Sequence, residues 1–293
     1  MPASIKDWEA KMRCLVVGHI VRDVIVRGPK TEIRIGGGAY YSAVTLSGFC
    51  EVEVLTSVGR DFPQDWFDEL RQRGIKLHVV PSEESTSYLL HYIDASTREL
   101  RLLSVAEKIQ NIPGSGYDLI VLNPVAGEIP PGTVVEALKK SPFVAADLQG
   151  FVREPEKGKV LSREVDASFL RGLKVLHADV LEIGLARGLR PEDVEVLLVS
   201  NGEKEGRAYL RGREYRFKPV KIPVEDSTGA GDVFLAAFSH FYHECPFVQA
   251  LKRAAAFTAL FLRHRSPDFP MEEASELAMK VEVVPTDDDT SAC

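Results

Sequence analysis

Cysteine is scarce and scattered: Cys14, Cys50, Cys245 and Cys293 are the only four, and no two form a CxxC pair. That pattern excludes a zinc site of ordinary thiolate spacing and a disulfide framework. Basic residues are in deficit, with 36 Lys and Arg against 43 Asp and Glu, a net charge of −7. Nucleic-acid binders are usually basic, so nucleic acid is not an expected partner. Membrane is not one either, because no apolar run approaches the roughly 18 residues that a spanning helix needs. Residues 1–11 read as a polar extension without the apolar core of a signal peptide. The tail 285–293 carries Asp287, Asp288 and Asp289 and reads as disordered. Residues 12–284 lack repeats and lack any Pro-, Gly- or Ser-rich divider, so they read as one domain, expected in the cytoplasm.

Apolar runs and turn signals alternate along that domain. Cys14–Gly18 is a continuous apolar run of the kind buried parallel strands show. Strands are expected at Val52–Val58, Ile75–Val80, Leu119–Leu122, Phe143–Asp147, Val175–Ala178 and Val194–Ser200. Helices are expected at Gly38–Phe49, Pro63–Gln72 (capped by Asp61), Thr133–Lys140, Arg163–Leu170 and Val180–Arg187, and, after a hairpin over Arg207–Lys218, at Val233–Tyr242, Val248–Arg263 and Met271–Lys280. Strand–helix alternation of this kind builds a parallel sheet covered on both faces. Two short hairpins, at 24–35 and 87–105 (the second turning across 94–97), do not fit the alternation and suggest a small accessory sheet.

The segment Asp226-Ser227-Thr228-Gly229-Ala230-Gly231-Asp232 stands directly before an apolar helix. Small residues at a helix N-terminus expose backbone N–H groups where the helix dipole is positive, which suits a phosphate or a developing phosphoryl charge. Asp232, in the first turn, would face that anion. A plain tight turn would need fewer residues of the right type than these seven.

This segment resembles the D-[ST]-x-G-A-G-D signature of the ribokinase/PfkB family of sugar kinases. Further resemblances follow in the same order along the chain: Gly18-His-Ile-Val-Arg-Asp23 after the first strand, Gly36-Gly37-Gly38-Ala39-Tyr40-Tyr41 opening a helix, Asp179-Val-Leu-Glu182, and the turn Asn201-Gly202-Glu203-Lys204-Glu205-Gly206. The resemblance implies a ribokinase-like doubly wound α/β/α sandwich with a β-sheet lid from the two early hairpins. It also allows a homodimer formed through the lid. The implied activity is transfer of the γ-phosphoryl of ATP, with Mg²⁺, to a hydroxyl of a small polyol or sugar. Asp232 would then accept the hydroxyl proton, while amides of Gly229, Ala230 and Gly231 neutralise charge on the transferring group. Asn201, Gly202, Lys204, Gly206 and Thr228, with Gly229 and Gly231, would lie along the nucleotide. Glu182 and Asp179 would organise Mg²⁺ through water.

Asp23, Gly36, Gly37, Gly38, Tyr41, Asp147, Gln149 and Arg153 are the candidate acceptor ligands. A carboxylate such as Asp23 accepts hydrogen bonds from two neighbouring hydroxyls. The chain departs from ribose-binding relatives where Val21 and Tyr41 replace asparagines, which makes ribose doubtful. Ala146-Asp147-Leu-Gln149-Gly150, with the Tyr-rich glycine motif, resembles the inositol kinase branch found in archaea and plants, so myo-inositol is the expected acceptor. A sugar or nucleoside kinase, with Tyr88 or Tyr92 stacking a base, and a non-catalytic binding protein are the rival readings. A dinucleotide-binding oxidoreductase would carry its glycine motif in the first βα turn rather than late in the chain.

Overall fold

The computed structural model describes residues 11–93, 98–223 and 226–286. Ten strands form one sheet in the spatial order Glu282–Pro285, Arg213–Lys218, Gly206–Leu210, Val196–Ser200, Val175–Asp179, Val144–Asp147, Leu119–Leu122, Arg13–Val17, Glu51–Val58 and Lys76–Pro81. All neighbouring pairs from Val196–Ser200 to Lys76–Pro81 are parallel, and the other edge is antiparallel. The two-residue period of a strand sends successive side chains to opposite faces. Cys14 and Val16 accordingly join the core under the helices Gly38–Ser47, Ala230–Glu244 and Phe247–His264. Leu15 and Val17 join the core on the other face, under the helix Pro131–Lys140. Both faces are covered, as the doubly wound reading requires.

The strand order reverses on either side of Arg13–Val17: the chain runs out through Glu51–Val58 and Lys76–Pro81, then returns to Leu119–Leu122 on the opposite flank. Ligands of open α/β sheets bind at such a reversal. Here Asn123, whose N–H donates to the Val17 carbonyl at 2.8 Å, sits beside Gly18.

The two early hairpins form a separate sheet over this point. Its strands lie in the order Gly158–Lys159, Arg98–Ser104, Ser87–Tyr92, Val21–Arg27 and Lys30–Gly36. A small core of Val21, Ile25, Tyr88, Leu90 and Leu102 packs on Val125 and Ala126 of the main domain. The lid expectation therefore holds for the described strands; the turn at 94–97 lies outside the described residues.

Some local expectations fail, and side chains bonding to nearby backbone explain several. Residues 163–170 form a two-residue strand, Val165–Asp166, and one tight turn, Ser168–Leu170, because Asp166 accepts the Ser168 N–H at 3.0 Å. Residues 180–187 give one turn, Ile183–Leu185, and the strand Ala186–Arg187 rather than a helix. Asp179 accepts the Leu181 N–H at 2.8 Å there. Asp61 does not cap the helix Gln64–Gln72; it accepts the Ser85 N–H and pairs with Arg22 at 2.6 Å, and Pro63 holds the cap position. The strand Glu282–Pro285 extends the ordered chain past its expected end, and Thr286 donates to the Glu214 carbonyl. Residues 1–10 and 287–293 lie outside the described residues.

Candidate active site

The helix Ala230–Glu244 starts from Gly229 at φ 86°, a left-handed conformation that glycine adopts without steric cost. A Cβ there would also lie 2.6 Å from the Tyr41 ring, so the ring is packed against this turn. Thr228 N–H bonds to Asp226 Oδ1 at 2.9 Å and Ala230 N–H to the Ser227 carbonyl at 3.1 Å, which closes the turn. The Ala230 amide is thus already engaged within the turn, while the first-turn amides of a helix, here Gly231 and Asp232, have no partner inside the helix itself.

Two hollows meet at Gly231. One, of about 350 Å³, lies under the lid and is lined by Asp23, Gly37, Gly38, Tyr41, Tyr88, Asp147, Gln149, Arg153, His177, Asp179, Glu182 and Asp232, among others. The other, of about 230 Å³, is lined by Asn201, Gly202, Lys204, Phe217, Val220, Ile222, Ala255, Thr258 and Ala259. The structure therefore brings the expected acceptor residues together on one side and most of the expected nucleotide residues on the other. Thr228 and Gly229 line the acceptor side only. Gly206 lines neither hollow; a Cβ there would meet the Phe217 ring at 2.5 Å, so it serves by letting that ring settle into the groove wall.

The glycine motif acts differently from expectation. A Cβ on Gly36 would lie 2.1 Å from Asp23 Oδ2, and one on Gly38 would lie 2.3 Å from Asn123 Oδ1. Gly36 is not a cavity wall; it makes room for the Asp23 carboxylate, which is 8% exposed. Tyr41 is likewise more than a ligand candidate, since its hydroxyl accepts from Arg265 Nη2 at 3.1 Å. Arg265 also donates to the carbonyls of Asp226 and Thr228, both at 3.0 Å, and so clamps the glycine helix to the turn before Ala230–Glu244.

Charge is crowded at the acceptor end. Five carboxylates, Asp23, Asp147, Asp179, Glu182 and Asp232, share the cavity with Arg153 and His177. Burial, and then the charge of Asp147, pushes Asp232 up to about 7. Glu182 is raised by the same two causes. Burial opposes charge on His177, but Asp147 outweighs it and holds the ring above its ordinary value. Asp179 and Glu182 turn partly inward: Glu182 Oε2 accepts the Asp179 N–H at 3.0 Å. Among the described residues no group of three or more acidic, His or Cys side chains could ligate a metal directly.

The comparisons with known proteins agree with this arrangement. Residues 164–274 match the model of the pfkB family carbohydrate kinases. Inositol 3-kinase of Arabidopsis thaliana is 29% identical over 245 residues, which cover 76% of this chain and 66% of that protein. Cytidine kinase of Thermococcus kodakarensis is 25% identical over 242 residues, 76% of this chain and 86% of that protein. A pyrophosphate-dependent kinase in the ribokinase family, solved with a pyrophosphate analog and myo-inositol, superposes with a TM-score of 0.75 at 27% identity and covers 90% of this chain and 99% of that one. The chain carries a PfkB family carbohydrate kinase domain. It spans just under two thirds of the length of the Arabidopsis relative.

Three residues of this kinase domain escaped the sequence reading in their present roles. Arg265 lies 33 residues beyond Asp232 in a loop with no motif. Asn123 reads as a turn residue, yet its amide donates to the Gly38 carbonyl and to Ser42 Oγ at 2.8 Å. His177 has no metal spacing to mark it, and its partner Asp147 is 30 residues away, adjacent only because their strands pair.

Proposed function

We propose that this kinase domain phosphorylates a hydroxyl of a neutral cyclic polyol, best myo-inositol, with a nucleoside triphosphate as donor. One observation carries the reading: the Gly229–Asp232 turn opens on one side to a cavity rich in hydroxyl-binding groups and on the other to an apolar groove. Asp23, Asp147 and Gln149 offer acceptors for hydroxyls spread round a ring, and the excess of carboxylates disfavours an acceptor that already bears phosphate. Phe217, Val220, Ile222, Ala255 and Ala259 fit the flat face of a nucleobase. The inositol 3-kinase and the myo-inositol-bound neighbour support the acceptor; that neighbour's pyrophosphate dependence makes pyrophosphate the rival donor.

In this mechanism the acceptor O–H gives its proton to an Asp232 carboxylate oxygen while the oxygen attacks the γ-phosphorus. The bond from γ-phosphorus to the bridging oxygen breaks, and the nucleoside diphosphate leaves. Charge on the transferring group is met by the Gly231 and Asp232 amides and by the helix dipole. Glu182 and Asp179 would hold Mg²⁺ through water, which fits a cavity whose carboxylates outnumber its cations and supplies neutralising charge at the donor phosphates. Lid closure excludes water, the competing acceptor. Ile33, Leu103 and Leu161 on and beside the lid are half-exposed, the apolar surface that a lid-to-lid dimer would bury.

A second reading, nucleoside phosphorylation, is favoured by the Tyr88 ring at the cavity wall and by the cytidine kinase relative. Steady-state assays with myo-inositol, ribose and cytidine, each against ATP and pyrophosphate, decide between them. The expected result is a kcat/KM for myo-inositol at least about tenfold above the others, roughly 1.4 kcal/mol. Equal or better use of cytidine would transfer the assignment to nucleosides, and pyrophosphate outperforming ATP would replace the donor.

A further inference from the structure

We propose that His177 is a positioning residue for phosphoryl transfer, the centre of a hydrogen-bonded row, Asp147–His177–Ser200, that ties the acceptor wall to the donor wall behind the anion-binding turn. The inference rests on the kinase reading and adds to it a residue that none of the family motifs contains.

The row is laid out by the sheet. Asp147 and His177 are register partners on adjacent parallel strands, and Ser200 ends the next strand across. His177 Nδ1 lies 2.6 Å from Asp147 Oδ2, and Nε2 lies 3.1 Å from Ser200 Oγ. The other Asp147 oxygen accepts the Gln149 N–H at 2.8 Å, so the carboxylate is fixed from both sides. His177 is 3% exposed, and the Phe234 ring packs edge-on at 5.9 Å. A buried histidine needs partners for both nitrogens, and a core position could supply any pair of them. Here the row reaches from one hollow to the other: Asp147 and His177 line the acceptor cavity, and Ser200 lines both that cavity and the groove.

The ring also touches the catalytic turn. A Cβ on Gly231 would lie 2.8 Å from His177 Cε1, which places the imidazole directly against the backbone of the helix N-terminus. The position of the Gly231 and Asp232 amides relative to both substrates therefore depends on a ring locked by two hydrogen bonds. Phosphoryl transfer is sensitive to this: a displacement of about 1 Å costs on the order of 100-fold in rate. His177 need not contact substrate to matter.

The test uses the full chain with His177→Phe, His177→Gln, Ser200→Ala and the double variant His177→Phe/Ser200→Ala, each checked by thermal unfolding. His177→Phe keeps the ring but not its hydrogen bonds, and is expected to lower kcat roughly 10- to 100-fold while both KM values stay within about threefold, the split of an interaction made in the transition state. His177→Gln, which can still bond Asp147, is expected to recover part of that loss. Adding Ser200→Ala to His177→Phe should cost almost nothing further, because groups that act as a unit are non-additive. If His177→Phe does not fold, Ser200→Ala alone carries the test through its own drop in kcat at constant KM. The proposal is overturned if kcat falls only in step with the folded fraction, if the acceptor KM alone rises, or if the two substitutions multiply. A wild-type protein inactive with every acceptor and donor would instead overturn the kinase reading itself.

Discussion

The cavity under the lid and the groove beyond Gly231 share one helix terminus and differ in almost everything else. Carboxylates, an arginine and a histidine line the cavity, and several of its side chains are held by neighbours such as Gly36, Asn123 and Gln149. Phe217, Val220, Ile222 and small residues of the helix Phe247–His264 line the groove. Under the proposed function the difference follows from what each would hold. A polyol is recognised by directional hydrogen bonds, so each unpaired buried acceptor costs about 1–3 kcal/mol and the pattern of polar atoms defines the ligand. A nucleobase needs a flat apolar slot, which many residue combinations can provide. Selectivity should therefore reside in the cavity, while the groove should yield mainly to steric change.

The sharpest break concerns the cavity carboxylate in the first turn of the helix whose start both hollows share. Asp232→Asn keeps the shape of the turn but cannot take a proton, so turnover should fall by roughly two to four powers of ten. Folding and donor binding should persist. A variant retaining more than about half the wild-type rate would remove Asp232 from the chemistry.

A paired substitution separates the two hollows. Asp23→Ala removes a cavity carboxylate and should raise the acceptor KM roughly 10- to 100-fold, the value of a hydrogen bond to a charged group, with donor KM unchanged. Ala259→Leu fills the groove from the helix Phe247–His264, where Ala259 is 7% exposed. It should raise the KM for ATP about tenfold and leave the acceptor KM alone, because overpacking costs about 1–3 kcal/mol. If Ala259→Leu does not change ATP use, the groove does not hold the base, and pyrophosphate becomes the better donor assignment.

The same contrast governs what could be read from sequence. The parallel core was legible because each strand is a short apolar run between turns, and Cys14–Val17 alone shows both faces buried. The glycine turn that opens the helix Ala230–Glu244 was legible as a turn because its residues are contiguous. The cavity was only half legible: Asp147 ends a strand and Gln149 opens the short helix after it, where local cues exist, whereas Asp23 lies inside the strand Val21–Arg27 rather than at a strand end. The His177–Asp147 pair and the Arg265 clamp arise from strand and loop neighbours separated by 30 and 224 residues, as in Arg265 with Tyr41, and no local pattern encodes them. The missed turns at 163–170 and 180–187 share another cause, in that Asp166 and Asp179 bond their own backbone and outcompete a helix.

The smallest expected effect asks whether the cavity's crowding is stored as instability. Burial and Asp147 raise Asp232 to about 7, so the folded protein holds that proton more tightly than the unfolded chain, where an aspartate titrates near about 3.9. A raised group stabilises the fold fully only below its unfolded pKa, and the contribution is lost as pH rises through about 7. At pH 8 the wild type therefore carries a partly desolvated charge next to Asp147, while Asp232→Asn carries none. The variant should melt a few degrees higher at pH 8, given that about 1 kcal/mol shifts Tm by roughly 2–4 °C in a domain of this size. The gap should narrow as pH falls toward 5, where the wild-type carboxyl is protonated in the folded state. Glu182, raised by burial and then by Asp147, would add a trend of the same sign in both proteins and cancel in the difference. Thermal melts of the two proteins across pH 5–8 measure it, and a gap that stays constant would mean that Asp232 titrates as an ordinary aspartate, leaving the groove and the cavity equally unstrained.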